Sequence, residues 1–201
     1  MSTIAIVTDT DSSLPPSLAD EYGIIQVPII VHFGQQSFKA GEEIDDALTF
    51  QRIDRDGELP STSAPSPGDF AEAYRRALQG GAAEVICFTV SGEVSATFDA
   101  AVNAKEMVRE GPVTVVDTKS LSMGQGYMAL EAARMAQEGK TREEIITRTQ
   151  GLRERTHLFA ALSTLKYMAM SGRIGHLSAG MANFLNIKPI LSIQDGKLDL
   201  L

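Results

Sequence analysis

The chain has 201 residues, of which 43% are hydrophobic and 22% charged, with a formal net charge of -8. That balance is ordinary for a folded protein and argues against disorder. The acidity, with basic residues scattered among acids as in Arg142-Glu143-Glu144, leaves no basic face for nucleic acid. In chain order, Thr3–Thr8 is a short apolar run that predicts a buried strand ending at Asp9. Leu14-Pro15-Pro16 opens a helix near Ser17–Tyr22, and Gly23 closes it. Ile24–Phe33 predicts a second strand, with Pro28 marking an edge or an interruption. Gly34–Glu43 reads as a polar loop and Asp45–Arg55 as a helix. Ser61–Pro67 is a polar loop, and Ser66, Pro67 and Asp69 form a helix start with Asp in the place of the usual Glu. That helix runs to Gln79 and stops at Gly80-Gly81.

Val85–Val90 is a third strand, Ser95–Arg109 a helix, Val113–Val116 a fourth strand and Ser122–Glu138 a helix stopped by Gly139. Thr141 and Glu144 make a capping box for a helix to about Arg155. The alternation predicts an α/β fold with a parallel sheet. Beyond Thr156 the pattern changes: a strand over His157–Leu162, helices over Ser163–Met170 and Ser178–Leu185, then a strand over Lys188–Ile193. Asp195-Gly196 reads as a hairpin turn into Lys197–Leu201. We place a domain boundary there, with 1–156 as an N-terminal α/β domain and 157–201 as the start of a second. The second unit is too small for an independent core and reads as incomplete. No run reaches the ~18 apolar residues of a membrane helix. The first residues lead directly into a strand without a signal-peptide pattern, so a cytoplasmic location is expected.

Ligands in open α/β sheets bind beyond the carboxyl ends of the strands. Polar residues gather there: Asp9-Thr10-Asp11-Ser12, Ser91–Ser95, Asp117-Thr118-Lys119-Ser120 and the Ser61–Ser63 loop. Each residue taken singly also fits a helix cap or a turn; the clustering favours a site. Ser95 stands at a helix start, where a hydroxyl and free backbone N–H groups suit an anion. Thr62 supplies a second hydroxyl from the loop before another helix. Arg173, between Gly172 and Gly175, carries the planar fork that matches a carboxylate, although a surface arginine in a turn has the same local sequence.

Rival chemistries have less support. Gly124-Gln125-Gly126-Tyr127-Met128-Ala129 fits a dinucleotide pattern, but seven residues separate it from the preceding strand, and close helix packing is the simpler account. His32, His157 and His176 lack metal-ligand spacing, and the lone Cys87 sits in an apolar run, so neither metal nor cofactor is expected. There is no G-x-S-x-G elbow and no phosphate loop.

Six segments in order resemble one family: Asp9-Thr10-Asp11-Ser12-Ser13-Leu14-Pro15, Leu59–Phe70, Val94-Ser95-Ala96-Thr97-Phe98, Asp117–Gly124, Ser171-Gly172-Arg173-Ile174-Gly175 and Asn186–Leu191. The chain resembles the DegV family over essentially its whole length. The resemblance implies two α/β domains holding a fatty acid between them. It also implies a non-catalytic subunit that presents the carboxylate to a separate ATP-dependent kinase, which makes an acyl phosphate for phospholipid synthesis. Carried over by motif, Thr62 and Ser95 bond the carboxylate and Arg173 orients or balances it, with Ser63, Ala96 and His176 as secondary candidates. Ala96 stands where the family usually has Gly. Met123, Met128 and Met168 are candidates for the tail slot, although a core role is the stronger account of each. The alternative is an enzyme of related layout, acting on a small phosphorylated or carbonyl substrate through a reactive histidine, His32 or His176.

Overall fold

The computed structural model describes residues 3–164, 168, 171–173 and 188–201. Its centre is a parallel sheet of β1 (Ile4–Asp9), β2 (Ile25–Val27), β6 (Glu84–Thr89) and β7 (Val113–Asp117), in the order β2-β1-β6-β7. Side chains alternate across a strand, and both faces of this sheet are apolar. Val7, Val85 and Cys87 face α3 (Pro67–Gln79) and α4 (Thr97–Lys105), meeting Phe70, Tyr74, Leu78 and Ala101. Ile6, Ile86 and Phe88 face α1 (Pro16–Tyr22), α5 (Met123–Gln137) and α6 (Arg142–Arg153), meeting Ala19, Met128, Ala132 and Ile145. The result is a three-layer sandwich, the form expected where strands buried on both sides read as continuous apolar runs.

The helix starts are fixed as their sequences predict. Ser66 and Asp69 form a reciprocal capping box with Pro67 at the first position, and Thr141 and Glu144 form another. Gly139 ends the α5 region at φ 75°, a backbone region open to glycine at no steric cost.

Two smaller sheets flank the sandwich. β3 (Ile30–Phe33), β4 (Gln36–Lys39) and β5 (Ser61–Ser63) form an antiparallel sheet in the order β4-β3-β5. Three expectations are corrected here. The strand foreseen over Ile24–Phe33 is two strands in two different sheets, broken at Pro28. The Gly34–Glu43 loop contains β4, and the Ser61–Pro67 loop begins with β5. This sheet and α2 (Asp46–Asp56) enclose a minor core of Val31, Phe33 and Ile44. The Arg52 guanidinium lies over the Phe33 and Phe38 rings at 4.5 and 5.1 Å, in cation–π range.

β8 (Phe159–Ala161), β9 (Ile190–Gln194) and β10 (Lys197–Leu200) form the other sheet, in the order β10-β9-β8. Asp195 and Gly196 turn β9 into β10 with φ of 49° and 84°, as a two-residue Asp-Gly hairpin requires. The helices expected over 163–170 and 178–185 fall wholly or largely outside the described residues, as does His176.

Candidate functional site

The parallel sheet has a switch point. The chain leaves β1 toward β2 on one side, and β6 lies on the other. Connections that diverge in this way leave a crevice beyond the carboxyl ends of the two middle strands. Asp9 stands there at the end of β1, fully buried. One carboxylate oxygen accepts from Asp11 N at 3.0 Å and the other from Val90 N at 3.0 Å. It thereby ties the loop after β1 to the loop after β6. Burial is the largest influence on this carboxyl, with the Asp11 charge next, and together they push its pKa up from 3.8 to about 7 against the pull of its hydrogen bonds. Gln125, from α5, is also within its hydrogen-bonding reach. The Gln125 amide nitrogen donates to Thr8 Oγ1 at 2.9 Å, while its oxygen is buried with no partner among the described residues. Asp11 is likewise raised by burial, with the Arg173 charge acting in the opposite sense.

A cavity of about 1230 Å³ opens from this crevice, larger than the roughly 300–1,000 Å³ of ordinary small-molecule sites. Thr62 reaches it from β5, Ser95 from the β6–α4 loop, and Arg173 from the segment after residue 170. The three sequence-predicted residues thus line one cavity, although they come from three separate parts of the chain. Leu14, Ile29, Val31, Ile44, Val94, Leu121 and Met168 contribute apolar wall. Of these only Met168 was a candidate from the sequence; the others were not legible there, because they come from one strand and five separate loops.

Local geometry differs from expectation in several places. Ser95 lies before α4, which starts at Thr97 and not at Ser95. Its Oγ is 2.8 Å from Thr97 Oγ1 and accepts from Thr97 N at 3.3 Å. Ala96 takes the position ahead of α4 with φ -72°, is exposed and does not line the cavity. That φ suits any residue, so alanine there needs no strain. Ser63 does not line the cavity either: its Oγ meets His32 Nε2 at 2.9 Å, while His32 Nδ1 meets Ser37 Oγ at 2.8 Å. His32 lines the cavity, but both ring nitrogens are engaged by the serines of flanking strands, so it braces the small sheet. Arg173 is exposed and donates from Nη1 to Ser171 O at 2.6 Å.

The dinucleotide pattern is used for packing. A Cβ at Gly124 would collide with Ser120 Oγ, and one at Gly126 would lie 2.7 Å from Ser12 O. Both glycines press on protein, leaving no room for a pyrophosphate. Met123 and Met128 belong to the α1/α5 side of the core, and only Met168 of the three candidates reaches the cavity. Burial pushes the Cys87 thiol up, which suits a structural role. Among the described residues no cluster of three or more His, Cys, Asp or Glu is placed to hold a metal, and no helix is long and apolar enough to cross a membrane.

A family model described as "Uncharacterised protein, DegV family" matches residues 3–201. The chain belongs to the DegV family. It is similar to a DegV domain-containing protein of Caldanaerobacter subterraneus, 33% identical over all of this chain and 71% of the relative. A DegV domain-containing protein of Streptomyces coelicolor is 36% identical over 98% of this chain and 69% of its own. Among solved structures, a fatty-acid-binding DegV family protein from Thermus thermophilus superposes with a TM-score of 0.88 at 37% identity, covering 99% of this chain and 70% of that one. A stearic-acid-binding protein from Eubacterium ventriosum gives 0.89 at 28% identity, covering 100% and 70%. The DegV fold expected from the motifs is therefore the fold observed.

Proposed function

We propose that this DegV chain binds a long-chain fatty acid in the cavity at the switch point. The carboxylate is received by the Thr62 and Ser95 hydroxyls and balanced by Arg173, and the tail lies against Leu14, Ile29, Val31, Val94 and Leu121. The observation that carries the reading is the meeting of two hydroxyls, one guanidinium and an aliphatic wall in one cavity. Solved relatives described as fatty-acid-binding support it. Burial of each tail methylene contributes about 0.8 kcal/mol. The head group then needs only satisfied hydrogen bonds and one compensating charge. With its pKa raised to about 7 by burial, Asp9 carries only part of a full negative charge at neutral pH, which lessens repulsion of an incoming anion at the strand end.

The chain acts as a carrier. It presents the carboxylate to a separate ATP-dependent kinase subunit, which forms the acyl phosphate. The engaged nitrogens of His32 give no support to phosphoryl transfer through that histidine. The test is mass spectrometry of lipid released from the purified protein, followed by titration of the delipidated protein with palmitate. One equivalent of fatty acid is expected, with micromolar or tighter rebinding. A protein that carries no lipid and does not take up palmitate overturns the reading.

A further inference from the structure

The Val90–Ser95 loop carries Ser95 into the cavity, and its own conformation is set by Ser91. The Ser91 side chain is fully buried. Its N–H donates to Ser120 O at 2.8 Å, and its carbonyl accepts from Val94 N at 3.0 Å and Ser95 N at 3.1 Å. Its hydroxyl accepts from Glu93 N at 3.3 Å and donates to the carbonyl of Gly196, at 2.7 Å. Gly196 is the tip of the β9–β10 hairpin, so the loop bearing Ser95 is fastened to a different sheet.

The fit at the tip is close. Gly196 has φ 84°, and a Cβ there would lie 2.5 Å from Ser91 Oγ and 2.7 Å from Lys119 Cδ. Charges flank the contact: Lys197 and Lys119 each approach Glu93 at 3.6 Å, and Lys119 pairs with Asp117 at 3.0 Å. The two pairs to Glu93 are partly exposed and each contributes little, whereas the Lys119–Asp117 pair is the more sheltered. Beside them, Leu191 and Leu198 of the hairpin form one apolar cluster with Val94 and Leu121, and these two also line the cavity. The turn geometry alone already calls for glycine at this tip, but a hairpin with only a structural role in its own sheet would not need the fully buried Ser91 hydroxyl on its carbonyl.

We infer that the β9–β10 tip is a positioning element for the head-group site, in which Ser91 and Gly196 are positioning residues that act through Ser95. The inference rests on the fatty-acid reading above. Without the Ser91–Gly196 bond the apolar wall remains, but the Ser95 hydroxyl loses its fixed place, so the effect falls on the carboxylate and leaves the tail contacts in place. Coupling of this kind appears as non-additivity between the two positions.

The test is a double-mutant cycle on the full chain, delipidated and titrated with palmitate by calorimetry. Ser91→Ala alone is expected to weaken binding about five- to thirtyfold, the span of a net loss of one or two kcal/mol. In a Ser95→Ala background the same change is expected to weaken binding less than about twofold. Equal losses in both backgrounds would mean general loosening of the cavity and would overturn the inference, as would no loss in either, while the fatty-acid reading stands. Wild-type protein that ignores palmitate overturns both. If Ser91→Ala does not fold, Gly196→Ala, which acts from the hairpin side, replaces it in the same cycle with the same two outcomes.

Discussion

Asp9 makes the stability of this protein depend on pH in an unusual direction. An unfolded Asp loses its proton near 3.8, whereas the folded Asp9 carboxyl holds its proton to about pH 7. Below pH 3.8 both states are protonated and the group costs nothing. Between the two values the folded state binds more protons, so stability falls as pH rises, and above about pH 7 the full cost is present. At about 1.4 kcal/mol per pH unit the whole interval comes to about 4 kcal/mol, and the part between pH 5 and pH 8 to about 3 kcal/mol. Asp11, also raised by burial, acts in the same direction. Urea denaturation of wild-type protein and of Asp9→Asn at pH 5 and at pH 8 measures this. The amide of the variant loses an acceptor for one of the two backbone N–H groups. Its absolute stability is therefore lower, and the slope with pH is the readout. Wild type should lose about 3 kcal/mol relative to the variant over that range. Parallel curves would refute the argument, because they would mean that Asp9 is ionised throughout and that its two backbone hydrogen bonds outweigh its burial.

Other outcomes follow from contacts already described. Gly126→Ala sets a Cβ against the backbone oxygen of Ser12, so α5 must shift; a loss of about 1–3 kcal/mol is expected, read as a lowered Tm, and an unchanged Tm would show that the helix end yields freely. Ser66→Ala and Thr141→Ala each remove a capping-box hydroxyl and should cost about 1 kcal/mol. The two helices are separate, so the double variant should show the sum within about 0.5 kcal/mol, checked by urea midpoints. Arg173→Lys keeps the charge but loses the planar fork, and palmitate affinity should fall about tenfold; titration showing full affinity would remove the bidentate role from Arg173.

The sequence was most readable where the signal is local. Ser66 with Asp69, Thr141 with Glu144, and Asp195-Gly196 each write a cap or a turn within four residues, and each is found as expected. The strands of the parallel sheet were legible as apolar runs because both their faces are covered. β4 and β5 were not. Gln36–Lys39 and Ser61–Ser63 are mostly exposed and carry no apolar alternation, and only their pairing with β3 makes them strands. The site divides in the same way. Thr62, Ser95 and Arg173 were named through motifs, whereas the cavity wall depends on how distant segments meet. The bond from Ser91 to Gly196 spans 105 positions, and no local pattern marks it.

The small β4-β3-β5 sheet carries Thr62 yet rests on few contacts. Its minor core has three buried residues, and none of the residues of α2 is buried. The central sheet, by comparison, is sandwiched by five helices. Local opening follows contact density, so amide hydrogens of β3, β5 and α2 should exchange with solvent well before those of β1 and β6. The flank that carries Thr62 is therefore the part of the cavity wall that opens at the lowest cost, while the five-helix centre holds the other side fixed.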